Sequence, residues 1–207
     1  MKLKFVTGII FAIFFSFGFT NQENTKETPI GEELTISEDQ IEVFKENTRQ
    51  KVEEFQQHIV IIGDKDQPSE LRNLAEQEAL KLFYKGAEME ISKINTDGSV
   101  DIVARPIEKY LARLKALPFT RVVIKFYDIA YVTDFIRGPD GKYYSTATII
   151  QEFTGFTGDN IQYTDVTKKE IEIIIDMVDD KFFNERHWKI FLGNIRATET
   201  KKTTQNS

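Results

Sequence analysis

Cysteine is absent from this 207-residue chain. Its absence excludes disulfide bonds, thiolate nucleophiles, sulfur-ligated metals and the lipid-bearing cysteine of an exported lipoprotein. Apolar residues make up 41% of the chain and charged residues 29%, a balance typical of a globular protein that buries one sizeable core. We therefore expect one folded domain that is held together by its hydrophobic core.

Histidine is scarce, and the familiar catalytic motifs are missing. Neither His58 nor His187 stands at ligand spacing from another histidine or a carboxylate, so zinc and non-haem iron sites are not expected. Glycine-rich phosphate loops and the nucleophile elbow of serine hydrolases are also missing. Asp64 and Asp66 begin like a calcium-binding loop, but Pro68 takes the next ligand position. The sequence predicts no metal and no cofactor.

Basic residues are outnumbered, with 27 Lys and Arg against 33 Asp and Glu and a net charge of −6. Nucleic acids and anionic membrane surfaces select clustered Lys and Arg, and the sequence shows no such cluster. We therefore expect neither of them as a partner.

The N-terminal segment has the layout of a secretory signal peptide. Lys2 and Lys4 precede an almost wholly apolar run over residues 5–19, and the chain turns polar from Asn21. Because a membrane-spanning helix needs about 20 apolar residues, we expect cleavage near Thr20. The mature protein would be periplasmic or extracellular, with no stable membrane insertion. An uncleaved anchor is the alternative, since no clean small-x-small cleavage site precedes this point.

Apolar residues at steps of three and four predict two helices early in the chain. Ser37 and Gln40 form a capping box before a helix that ends near Gly63. Ser69 is expected to cap the second helix, which ends by Gly86.

Alternating residues replace the helical spacing after residue 87. Asp97 and Gly98 supply the turn of a hairpin, and Pro106 begins a short third helix. Later strands are predicted at residues 121–136, 143–156, 171–177 and 187–197, with a polar loop at 157–168.

This order of elements resembles the NTF2-like superfamily, also called cystatin-like or SnoaL-like. The resemblance covers residues 37–197 and rests further on the apolar cluster at Leu82 and Phe83 and on Trp188, which opens the last strand as Trp-Lys-Ile-Phe-Leu-Gly. It implies a cone-shaped α+β fold, in which N-terminal helices pack on a curved, mainly antiparallel sheet whose open end holds a pocket. Family members include isomerases, cyclases and dehydratases as well as non-catalytic binding modules, so function stays open.

The domain organisation follows from these patterns. We predict a signal peptide at 1–20, a polar linker at 21–36, an NTF2-like α+β domain at 37–197 and a disordered tail at 198–207.

Asp128 is the first candidate ligand-binding residue. It follows Val122, Ile124 and Phe126 at steps of two, so a regular strand would place its carboxylate on their apolar face. A buried carboxylate with a raised pKa can serve as a general base. The alternative is a β-bulge near Tyr127 that turns Asp128 to solvent.

Three further candidates lie on the predicted strand at 143–156 and on the third helix. Gln151 shares a face with apolar residues, and its amide can orient a ligand by donating and accepting at once. Tyr110 and Arg113 lie on the third helix, close to where the resembling proteins close over their pocket, and they suit an anionic ligand. A structural amide, and helix packing by Tyr110, are the alternatives. Oxygen donors in the predicted loop at 158–167 are ranked below the pocket.

Two functions remain open from the sequence. The first is a non-enzymatic exported module that binds a small molecule or a protein partner in the cell envelope. Tyr127, Tyr131, Tyr143 and Tyr144 would leave apolar surface on the sheet, which a homodimer could cover. The alternative is a cofactor-independent enzyme that uses a buried carboxylate, Asp128, for proton transfer of the isomerase or dehydratase type. No catalytic residue is assigned.

Trp188 is the only tryptophan of the chain. Its position at the start of the last strand predicts that it closes the core beneath the helices. The alternative is a place at the rim of the pocket, where an indole stacks on a ligand.

Overall fold

Two helices, α1 (Glu38–Gly63) and α2 (Ser69–Lys81), begin the described part of the computed structural model, which comprises residues 35–95, 97–181 and 184–202. For residues 128–131 and 202 the backbone alone is described. The predicted signal peptide and nearly all of the predicted linker lie outside the described residues. Within those residues, no helix is long and apolar enough to span a bilayer.

The N-terminus of α1 has the predicted capping box. The Ser37 hydroxyl accepts a hydrogen bond from the Gln40 amide at 3.4 Å, and the Gln40 side chain accepts one from the Ser37 amide at 2.9 Å. The prediction for α2 is wrong, because Ser69 is already the first helical residue and Pro68 takes the cap position without a side-chain hydrogen bond. A capping residue needs a non-helical backbone, which Pro68 has and Ser69 lacks.

Seven strands and a third helix follow along the described chain. The helix α3 (Ile107–Lys115) connects the second strand to the third. The strands are β1 (Glu88–Ile94), β2 (Val100–Pro106), β3 (Arg121–Val132), β4 (Ile136–Arg137), β5 (Tyr143–Thr157), β6 (Asn160–Asp180) and β7 (Glu185–Lys202).

The strands form one open sheet in the order β2-β1-β7-β6-β5-β3, with β4 also paired to β5. All described pairings are antiparallel except the one between β1 and β7. The hairpin of β1 and β2 turns at the predicted Asp97 and Gly98. The α+β class and the mainly antiparallel sheet are therefore confirmed.

The predicted polar loop at 157–168 is wrong, because β6 starts at Asn160 and runs for 21 residues. The connection from β5 is a tight turn in which Gly158 has a φ of 59°, a conformation that favours glycine. Threonine and valine in this segment are β-branched residues that favour strands. The loop was predicted because their neighbours are polar. The last strand also continues to Lys202, past its predicted end at Ala197.

The core lies between the helices and one face of the sheet. Val52, Phe55 and Ile59 of α1 are fully buried, and the Phe55 ring meets the Phe83 ring edge-on at 5.0 Å. Three isoleucines of β6 belong to the same buried cluster: Ile171, Ile173 and Ile175. Burial of apolar side chains of this size is the main stabilising contribution in a chain without disulfide bonds.

Trp188 packs against the edge of this core and is half-buried. Its ring meets the Tyr143 ring edge-on at 5.4 Å. Tyr143 is itself buried, with 7% of its surface exposed, and its hydroxyl accepts a hydrogen bond from the Ile36 amide at 3.1 Å. Of the tyrosines expected to leave apolar sheet surface, Tyr143 therefore belongs to the core, whereas Tyr127 is exposed.

Candidate functional site

A pocket of about 320 Å³ has two sides. One side is formed by α3 and the segment that follows it, and the other by the inward faces of β1, β5 and β6. Its volume falls at the lower end of the roughly 300–1,000 Å³ typical of small-molecule sites. Most of the wall is apolar, including Ile91, Leu114, Leu117 and Phe153. A few polar side chains converge on the same space, which is the composition of a ligand pocket.

The polar part of the wall comes mainly from β6. Side chains alternate along a strand, so Asp165, Thr167 and Lys169 share the inward face with the three buried isoleucines further along. On β5, Gln151 stands opposite Thr167 and Phe153 stands opposite Asp165. The inward face of β6 thus changes from apolar to polar at Lys169.

The helix α3 covers this polar end of the sheet. Tyr110 and Leu114 are buried on its inner side, and Arg113 is exposed at the rim of the pocket. The guanidinium of Arg72 fixes the end of α3 by donating to the Lys115 carbonyl at 3.1 Å and to the Ile62 carbonyl at 2.9 Å. Side chains and backbone of three helices therefore hold the roof of the pocket in place.

The segment after α3 completes the roof. The Lys65 ammonium donates to the Leu117 carbonyl at 2.6 Å, and the Phe119 ring packs on the Phe153 ring at 6.0 Å. Gly155 makes this packing feasible, because a Cβ at that position would lie 2.7 Å from the Phe119 ring. The glycine thus determines where the aromatic wall can sit.

Gln151 brings an unpaired acceptor to the pocket. The residue is 6% exposed, and no described residue donates a hydrogen bond to its buried Oε1 atom. A buried acceptor without a donor costs about 1–3 kcal/mol of folding free energy. A hydrogen-bond donor that reached this atom would remove the cost.

Asp165 is a buried carboxylate at 6% exposure. Thr167 Oγ1 donates to its Oδ1 atom at 3.2 Å, and the same Thr167 hydroxyl lies 3.2 Å from Thr200 Oγ1. Burial raises the pKa of Asp165, and hydrogen bonds from Tyr163 and Thr167 with the charge of Lys169 oppose that rise. The carboxyl group is therefore easier to protonate than an exposed aspartate.

Lys169 is a buried amine at 4% exposure. Its Nζ atom donates to the Glu90 carbonyl at 3.2 Å and to Met89 Sδ at 3.4 Å. Burial lowers the pKa of Lys169 to about 8, and the charges of Asp165 and Glu90 oppose that fall. Burial therefore shifts both groups towards their neutral forms.

Tyr110 and Tyr163 add hydroxyl groups to the same space. Burial raises the pKa of Tyr110, and the negative charge of Asp165 adds to the rise. Burial also raises the pKa of Tyr163, which is hydrogen-bonded to Asp165. Both hydroxyls keep their protons at neutral pH and act as hydrogen-bond donors.

The structure brings three of the four sequence-predicted candidates together, since Tyr110, Arg113 and Gln151 all line this pocket. The fourth, Asp128, has no described side chain. The pairing of β3 with β5 shifts register between Tyr127 and Tyr131, so the alternation of side chains at steps of two is regular only as far as Tyr127. Trp188 is not part of the wall of this pocket.

Sequence reasoning missed Tyr163, Asp165, Thr167 and Lys169 as pocket residues because it placed the first three in a loop at 157–168 and began the next strand only at 171. The signal was present. These four residues stand at steps of two and lead directly into the alternating isoleucines of the same strand.

Among the residues that the structure describes, no group of three or more histidine and carboxylate side chains could hold a metal ion. Comparison with protein-family models, curated proteins and solved structures gives no match for this chain. Function is therefore argued from the site.

The unpaired Gln151 acceptor yields a prediction about stability. Gln151→Leu removes the orphaned atom and keeps a side chain of similar length, so the free energy of unfolding should rise by about 1 kcal/mol. Urea unfolding monitored by circular dichroism measures the change. The control is Gln57→Leu at an exposed position of α1, which should shift stability by less than about 0.5 kcal/mol. A loss of stability in Gln151→Leu would mean that the amide holds the fold together.

The buried Lys169 yields a prediction about pH. Its pKa of about 8 lies below the ordinary value of 10.5, so its stabilising contribution is complete above 10.5 and is lost as pH falls through 8. Relative to Lys169→Met, the parent protein should gain about 2–3 kcal/mol between about pH 7 and about pH 10. Urea unfolding across this range measures the difference. Parallel profiles for the two proteins would contradict the burial of the amine.

Proposed function

We propose that this protein binds a small, mainly apolar molecule that carries a hydrogen-bond donor, in the pocket beneath α3. The buried and unpaired Oε1 atom of Gln151 in the pocket wall is the observation that carries the proposal. In the absence of a ligand this atom costs folding free energy, and a ligand donor would recover it. Ligand binding is therefore the first function that we propose for this protein.

The composition of β6 supports the proposal. A strand whose inward face carries Ile171, Ile173 and Ile175 could bury further apolar residues, yet it carries Asp165 and Lys169 instead. Burying polar and charged groups costs free energy unless they are paired. Sequences depart from locally favourable choices mainly at functional sites.

The chemistry of the wall defines the ligand class. An apolar body fits against Leu114, Leu117 and Phe153, and its donor group would reach Gln151. The exposed Arg113 at the rim can hold an anionic substituent in place. The best ligand is therefore a compact ring system with one hydroxyl or amine, with or without an acidic group at the entrance.

We further propose that this module is exported and NTF2-like. The order of two helices, a hairpin, a short helix and long antiparallel strands supports the family resemblance, and the apolar run at residues 5–19 after Lys2 and Lys4 supports export. Intact-mass analysis of the protein recovered from the cell envelope tests the second part. A protein retained in the cytoplasm would contradict it.

The ligand class is tested with two probes that differ by one hydroxyl. Equilibrium dialysis should show 2-naphthol binding roughly 2–10-fold more tightly than naphthalene, because a net hydrogen bond contributes about 0.5–1.5 kcal/mol. In Gln151→Leu the two affinities should become equal, whereas the exposed Gln57→Leu control should keep the preference. Equal affinities in the parent protein would refute the role of Gln151.

A second candidate function is proton transfer, favoured by the buried carboxylate of Asp165 in the same wall. The expected base at Asp128 lies outside the described side chains, so Asp165 is the carboxylate on which this hypothesis now depends. Asp165 would remove a proton next to a carbonyl group, and the Tyr110 hydroxyl would donate a hydrogen bond to the enolate oxygen.

Deuterium exchange tests the second candidate. Proton NMR should show that the protein accelerates exchange of the α-protons of 2-tetralone in heavy water. Asp165→Asn should lower the protein-catalysed rate by about 100-fold. Asp101→Asn, at an exposed position of β2, is the control and should leave the rate unchanged. Exchange at the buffer rate in the parent protein would eliminate this function.

A further inference from the structure

Lys169 is a buried charged group of the pocket wall for which neither function above has a use. Its side chain is 4% exposed and lines the cavity on the inward face of β6. No carboxylate oxygen within the described ranges forms an ion pair with its Nζ atom, whose described partners are a backbone carbonyl and a thioether. The surroundings therefore favour the neutral amine more than water does.

The number of partners matches a neutral amine. A neutral lysine amine has two N–H groups and one lone pair, and the ammonium ion has three N–H groups. The carbonyl of Glu90 at 3.2 Å and Met89 Sδ at 3.4 Å take up two N–H groups. The remaining tetrahedral position of Nζ has no partner among the described residues, and Lys169 lines the cavity.

We propose that Lys169 is a nucleophile that forms an imine with an aldehyde or ketone held in the pocket. This inference rests on the proposed function, because the carbonyl compound must first bind there. It assigns a ligand class, carbonyl compounds with an apolar body, that binding alone does not require.

The reaction balances without an oxidant or a reductant. The Nζ lone pair forms a bond to the carbonyl carbon, and the π electrons of the carbonyl move to its oxygen. Both hydrogens of the amine then leave with that oxygen as water, and the C=N bond forms. Asp165 and Tyr110 line the same cavity and can relay the protons between nitrogen and oxygen.

Selectivity over other lysines follows from the neutral fraction of each amine. Burial holds the pKa of Lys169 at about 8 against an ordinary 10.5. At about pH 7.5 this difference makes the neutral fraction of Lys169 roughly 200-fold larger than that of an ordinary exposed lysine. A carbonyl probe that enters the pocket therefore meets a far more reactive amine than it meets on the surface.

Reductive trapping tests the proposal. The full chain is incubated with benzaldehyde and sodium cyanoborohydride, and peptide mapping by mass spectrometry locates the benzyl adducts. Lys169 should be labelled at least 10-fold faster than any other lysine, and an excess of 2-naphthol should slow its labelling without slowing the others. Lys169→Met should lose the fast adduct, whereas Lys85→Met, at an exposed position outside the pocket wall, should keep it.

The outcomes separate this inference from the function on which it rests. Labelling of Lys169 no faster than surface lysines, in a protein that binds 2-naphthol by dialysis, overturns the imine and leaves the binding function standing. Fast labelling that 2-naphthol does not slow also overturns the inference, because the amine then reacts outside the pocket. Mapping of the parent protein gives both results even if the Lys169→Met variant does not fold.

Discussion

The strict alternation of side chains along β6 is the constraint on which the rest of the structure depends. One face of this 21-residue strand carries the isoleucines of the core and, further towards its start, the polar wall of the pocket. Because a shift of one residue would expose both sets at once, the register of β6 with β5 and β7 fixes core and pocket together. Stability and the site are therefore two consequences of one pairing.

Burial has opposite effects on the two ionisable groups of that wall. It raises the pKa of Asp165 and lowers the pKa of Lys169, because in each case it disfavours the charged form. The free energy spent on burying them is offset by the neighbouring apolar cluster, in which Ile171 and Phe55 are fully buried. Natural proteins commonly carry such destabilising groups at functional sites, which is the role that we propose for this wall.

Local patterns predicted much of the fold. The capping box at Ser37, the hairpin turn at Gly98 and the inward, buried face of Gln151 all follow from spacing within a few residues. The features that these local patterns did not predict depend on residues farther away in the sequence. The start of β6 was missed because oxygen-rich residues resemble a loop until their strand partners are known. The register shift of β3 after Tyr127 was expected only as an alternative, and the orientation of Asp128 stays a prediction.

The central claim is that Gln151 Oε1 and the polar row of β6 line an open pocket and not a filled core. A crystal structure of the protein grown with 2-naphthol tests it most directly. The account predicts the naphthol ring between Leu114 and Phe153, with its hydroxyl donating to Gln151 Oε1 at about 2.5–3.2 Å. A structure in which the side chains after α3, such as Phe119, fill the space and Gln151 Oε1 accepts a hydrogen bond from the protein would contradict it.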